Sequence, residues 1–110
     1  MSTLRNKVQL IGNLGNNQEI ITLENEKKLA KFSIATNESY KNSQGEKVTD
    51  TQWHKIVAWN KTAEIIEKYL EKGSGVAIEG KLITRSWEGK DGMKRFVTEV
   101  VVNELLMLGK

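Results

Sequence analysis

In "TQWHKIVAW", residues 51–59, two tryptophans share a stretch with the composition of a β-strand. Successive side chains of a strand alternate between its faces, so Trp53, Lys55, Val57 and Trp59 point one way and His54, Ile56 and Ala58 the other. The same alternation over "GVAIEGKLITRSW", residues 75–87, gathers Ala77, Glu79, Lys81, Ile83, Arg85 and Trp87 opposite Val76, Ile78, Gly80, Leu82 and Thr84. Tyr40 ends another strand, the second in the chain, beside Lys41. Rings interleaved with cations have a chemical use. Every nucleobase has a π-face, so stacking on an aromatic ring tolerates any sequence and contributes about 1–3 kcal/mol per base, while lysine and arginine track the phosphates. Duplex DNA buries those faces in its own stack. The surface therefore suits unpaired strands, with Trp53, Trp59, Trp87 and Tyr40 as platforms and Lys55, Lys81 and Arg85 as cations.

Catalytic chemistry finds less support. His54 is the one histidine and there is no cysteine, whereas a catalytic metal site uses about three protein ligands. On the core side of its strand, His54 reads as a hydrogen-bonded structural residue. Glu64, Glu67 and Glu71 recur at helical spacing beside Lys68 and Lys72, the pattern of a solvated face with ion pairs. Glu79 and Glu99 lie on strands that could meet across the last hairpin, but no nucleophile accompanies them. "GNLGNN" lacks the lysine and spacing of a phosphate-cradling loop.

The elements that position these groups follow from periodicity. Residues 6–14, "NKVQLIGNL", alternate with Val8, Leu10, Gly12 and Leu14 on one face, Gly12 marking a bend or a close approach. "GNNQE" is a turn. A second strand runs over about residues 27–40 with Ala30, Phe32 and Ile34 toward a core, and "KNSQGEK" is a polar loop before the tryptophan strand. The period then changes to 3.6: Ala63, Ile66 and Leu70 define a helix, with Asn60 at its N-cap and Gly73 as its stop. Two strands follow, 75–87 and 94–102, joined by a turn at Asp91-Gly92 in a hairpin that projects from the body. Phe96 is assigned to the core. Three strands, a helix and two strands give a five-stranded antiparallel barrel of the oligonucleotide/oligosaccharide-binding (OB) type, all-β with one helix between strands three and four.

Composition is permissive. The chain has 110 residues, 38% hydrophobic and 28% charged, suiting one OB domain over residues 1–110 with a single core. Its formal charge of +3 allows a polyanionic partner without demanding one. No apolar run approaches the ~20 residues of a membrane span. The amino terminus lacks the pattern of a secretory signal, and the absence of cysteine fits a reducing interior, so a cytoplasmic location without membrane association is expected.

"NKVQLIGNLG", "FSIATNESY", "WHKIVAWNKTAE", "YLEKGSGVAIEGKLITRSW" and "FVTEVVVN", in this order, resemble the bacterial single-stranded DNA-binding protein (SSB) family over about residues 6–109. The resemblance implies an OB fold, a homotetramer wrapped by single-stranded DNA, roles in replication, recombination and repair, and neither catalysis nor a cofactor or metal. It matches Trp53, Trp59, Trp87 and Tyr40 to the family's stacking aromatics. Tryptophan is frequent where Tyr40 stands, and phenylalanine where Trp59 stands. Lys7, Lys55, Lys61, Lys72 and Arg85 fall where the family uses basic residues along the DNA path, and His54 where it has a histidine near subunit contacts.

The family usually continues into a flexible linker and an acidic tip that recruits replication and repair enzymes. This sequence stops at "LLMLGK", so these residues are expected to form the OB domain with the acidic tail absent from them, and recruitment through such a tail cannot be claimed from them. Other readings make different demands. A primosomal OB adaptor related to the family would lack the aromatic platform. A structural oligomer would bury the indoles between subunits, and an OB-fold hydrolase would need an acid cluster.

Overall fold

The computed structural model describes residues 5–108. Its elements are β1 (Val8–Leu14), β2 (Glu19–Thr22), a short 3-10 turn (Glu24–Glu26), β3 (Lys28–Lys41), β4 (Lys47–Trp59), α1 (Asn60–Tyr69), β5 (Gly75–Glu88) and β6 (Lys94–Met107). The sheet order is β1-β5-β6-β4-β3-β2, and a further β1–β3 pairing closes the five long strands into a barrel. Closure rests on Asn13 opposite Ala35 and Leu14 opposite Ile34. It requires glycine at position 12, because a Cβ there would overlap the Ala35 carbonyl oxygen and stand 2.8 Å from Ile34 Cγ2.

The expected OB barrel is present, with differences in detail. β2, four residues paired to β3, begins at the last residue of the expected turn and runs through residues to which periodicity assigns no element, so the helix falls between the fourth and fifth strands rather than the third and fourth. The barrel is not antiparallel throughout: β4 and β6 run parallel, with Ile56 opposite Val100 and Val57 opposite Val101. β6 continues past residue 102 to Met107 across a register shift against Glu79 and Gly80, an extra residue that resets which side chains face inward.

The core joins Ala30, Phe32 and Ile34 of β3 to Ile56 and Ala58 of β4, Val76 and Ile78 of β5 and Val100 and Val102 of β6. Ala63, Ile66 and Leu70 cover one end of it, as their spacing predicts. The ends of α1 depart from expectation. Trp59 holds the N-cap position with no side-chain bond, while Asn60 adopts a left-handed φ of 55°, a conformation asparagine tolerates. At the other end the helix stops at Tyr69, before Gly73. Gln18 Nε2 donates to the carbonyls of Ile66 (2.9 Å) and Leu70 (2.6 Å), adding to the Leu70 amide bond that Ile66 already accepts at 3.1 Å and supplying a donor to the Leu70 carbonyl past the last turn. Glu67 pairs with Lys28 of β3 at 2.8 Å rather than with a lysine of its own helix.

Two hairpins extend beyond the barrel. The β3–β4 ladder runs without interruption from Leu29–Trp59 to Lys41–Lys47, yet residues 37–41 are all exposed. Asn42 closes its turn, Oδ1 accepting from the amides of Gln44 and Glu46 at 2.9 and 3.0 Å. In β5–β6 the turn at Asp91-Gly92 closes as expected, with the Gly92 amide donating to the Gly89 carbonyl at 3.0 Å. Phe96 has the inward parity of the core residues but sits on this projecting arm, beyond the barrel contents. It is 64% exposed, which corrects its assignment to the core.

Candidate nucleic-acid interface

Strand register orders the outward face into rows. Lys81 of β5 is opposite Val101 of β6, Val101 opposite Val57 of β4, and Val57 opposite Lys31 of β3. In the next row Ile83 faces Glu99, with Lys55 and Ser33 beyond. In the third, Arg85 faces Val97, with Trp53 and Ala35 beyond, and Trp87 is opposite Arg95 further out. The β4–β6 neighbours in these outer rows also share clefts, Lys55 with Glu99 and Trp53 with Val97. One face thus brings together Trp53, Lys55, Lys81, Arg85 and Trp87. Sequence alternation alone did not find Lys31, although it holds the outward parity of its strand. Val57, on the same face, is buried, opposite Val101 and Lys31.

The aromatic rings are open to solvent: Trp53 is 62%, Tyr40 56%, Trp87 47% and Trp59 41% exposed. Trp53 has a defined seat. A Cβ at Gly15 would overlap its Cζ3 and lie 2.9 Å from Cε3 and Cη2, so the indole rests on bare backbone where β1 ends. Trp59 has the same outward parity further along β4, opposite Leu29, and Lys61 is exposed in the first turn of α1.

The remaining candidates lie elsewhere. Tyr40 has the parity of Phe32 and Ile34 and so projects from the opposite face of the β3–β4 arm. Lys72 follows α1, its backbone amide donating to Asn17 Oδ1 at 2.9 Å. Lys7 precedes β1 and contacts Glu79 at 3.5 Å. His54, half-buried, shares a 2.9 Å hydrogen bond with Thr36, matching its structural reading. Glu79 and Glu99 do not meet, because Glu79 is opposite Glu104 and Glu99 opposite Ile83. Among the described residues no three His, Cys, Asp or Glu side chains come together as a metal site.

Glu99 is the one buried charged side chain among the described residues, 6% exposed. Arg85 grips it bidentately, Nε to Oε1 at 2.9 Å and Nη2 to Oε2 at 3.0 Å. These hydrogen bonds hold the Glu99 carboxyl below the ordinary carboxylate range against the opposing effect of burial, and the charges of Arg85, Lys31 and Lys55 add to them. The same pair raises the Arg85 guanidinium further. Asn16, Glu19, Lys31, Ser33 and Lys55 complete a cleft of about 270 Å³ around it.

Comparison with known proteins agrees with this architecture. The sequence profile of the single-strand binding protein family matches residues 5–108. The Single-stranded DNA-binding protein 1 of Chlorobaculum tepidum is 47% identical over 105 residues, covering 94% of this chain and 65% of that protein. The Single-stranded DNA-binding protein of Neisseria meningitidis serogroup A is 42% identical over 104 residues, covering 94% and 60%. The chain therefore spans less than two thirds of these relatives' length. A Plasmodium falciparum SSB solved in complex with ssDNA superposes with a TM-score of 0.86 at 33% identity, covering 98% of both chains. A deletion mutant of the Thermus aquaticus single-stranded DNA binding protein gives 0.79 at 25% identity, covering 94% of this chain and 50% of that one. With its closed barrel, projecting arms and near-complete profile match, the chain belongs to the single-strand binding protein family.

Proposed function

We propose that this chain binds single-stranded DNA with little regard to sequence, bases stacking on Trp53, Trp87 and Trp59 while Lys31, Lys55, Lys81 and Arg85 attract phosphates. The observation that carries this reading is the exposure of three indoles on the outward parity of β4 and β5, amid cations. Exposed indoles cost solvation that a purely structural role would avoid, and unpaired bases recover it by stacking. Tyr40, Lys7, Lys61 and Lys72 extend the DNA path around the protomer. No catalytic step belongs to this reading. Replication, recombination and repair, where single strands are exposed, are its proposed settings. Self-association, with a homotetramer as the proposed state, is supported by Ile11, Ala77 and Leu106, an apolar cluster on the outer face of β1, β5 and β6.

The test is a tryptophan-fluorescence titration with oligo(dT), a duplex of equal length and oligo(rU). Quenching by oligo(dT) but not by duplex is expected. Trp53→Ala and Trp87→Ala should each weaken oligo(dT) binding by about 1–3 kcal/mol with folding unchanged. Wild-type affinity in both folded variants would refute the platform.

A further inference from the structure

A surface built to hold a polyanion has little use for a buried carboxylate, yet Glu99 stands in its middle row with Lys55 beside it and Arg85 diagonally across. The hairpin has cross-strand contacts besides this pair. The β5–β6 ladder continues on both sides of it, and Thr84 and Thr98 share a 3.1 Å hydrogen bond across the neighbouring row. The pair does change what Arg85 can offer a phosphate. Of its five N–H donors, one on Nε and one on Nη2 are committed to Glu99, and the positive charge is met by a negative one at hydrogen-bond distance.

Resting on the proposed single-strand binding, we propose that Glu99 is a built-in counter-charge that limits the grip of this face on phosphate. It leaves Arg85 a partial ligand, shifts binding toward stacking, and keeps the bound strand exchangeable. Chain and DNA share one equilibrium here, so a neutral residue at this position should make the protein bind too well.

Glu99→Gln keeps the shape and an acceptor for Arg85 while removing the charge, and Glu99→Met is a second neutral replacement of similar length. Affinity for labelled oligo(dT) is measured by anisotropy from about 50 mM to 1 M salt, with folding followed by circular dichroism. One additional phosphate neutralised steepens the log–log salt slope by about 0.7, which makes binding about eightfold tighter at 50 mM and about threefold tighter at 200 mM, with the gain vanishing near 1 M. Dissociation should slow in proportion. A damaged fold would not produce such a gain. Unchanged or weaker binding with an unaltered slope in a folded variant would overturn the proposal. So would the collapse of both variants, since Glu99 would then be a structural partner. A wild-type chain that fails to bind oligo(dT) would instead locate the failure in the stacking reading, and the counter-charge would fall with it.

Discussion

The seat beneath Trp53 makes a substitution elsewhere in the chain a probe of the platform. Gly15→Ala introduces a methyl group that overlaps Cζ3 and lies 2.9 Å from two further ring carbons. Carbon contacts settle near 3.5–4.0 Å, so the indole must move outward on the order of 1.5 Å. The ring is mostly exposed and free to move, and Gly15 has no left-handed φ to lose. Stability should therefore change by less than about 1 kcal/mol, part of it a gain from a less flexible unfolded chain. Binding should suffer more. A shift of this size forfeits more than half of a close-contact well, and a stacked base contributes about 1–3 kcal/mol. Loss of about 1–2 kcal/mol is expected, roughly 5- to 30-fold in Kd. Anisotropy of labelled oligo(dT) reads the affinity, and a urea melt reads the stability. Combining Gly15→Ala with Trp53→Ala completes the cycle: without the indole, the added methyl should cost nothing further. Wild-type affinity in Gly15→Ala, or equal losses with and without the indole, would refute the reasoning.

Other perturbations follow from the same contacts. Gln18→Ala removes both hydrogen bonds to the end of α1 and should cost about 1–2 kcal/mol in a urea melt. Phe96→Ala should change the unfolding free energy read from a urea melt by no more than about 0.5 kcal/mol, as for an exposed site, where a core phenylalanine would lose about 3–5 kcal/mol. For Glu99 the hydrogen bonds from Arg85 hold the folded carboxyl below the ordinary value of 4.5, so its stabilisation is present above that value and lost as pH falls through the lower, folded pKa. Thermal melts of the wild type and Glu99→Gln, compared from pH 7 downward, should accordingly converge below about pH 4.5, with the sign set by protonation of the wild type alone.

Much of the barrel was legible because its strands are long and alternate cleanly. Ala30, Phe32 and Ile34, and the helical triad Ala63, Ile66 and Leu70, lie where their periods put them. What was not legible depends on contacts between distant segments. β2 has four residues and exists by pairing with β3. The bulge opposite Glu79 and Gly80 hides the continuation of β6. Phe96 obeys the inward parity, but parity does not reveal that its arm has already left the barrel. The end of α1 is set by Gln18, a side chain 48 residues away from one of its acceptors, and no local signal at Gly73 competes with it. At the interface, the outward direction of the three indoles could be read by alternation. The Arg85–Glu99 pair could not, because it requires the cross-strand register, and Tyr40 was grouped with the tryptophans although its parity is opposite.

The residues that follow β1 each reach a different part of the molecule. Gly15 supports the Trp53 ring, Asn16 accepts from the Ser33 amide at 3.0 Å, Asn17 from the Lys72 amide at 2.9 Å, and Gln18 holds the last carbonyls of α1. Such a clasp makes the aromatic seat and the far end of the helix one opening unit. A nucleotide resting on Trp53 would then slow amide exchange at Leu70, a protection footprint on backbone remote from the ring it stacks against.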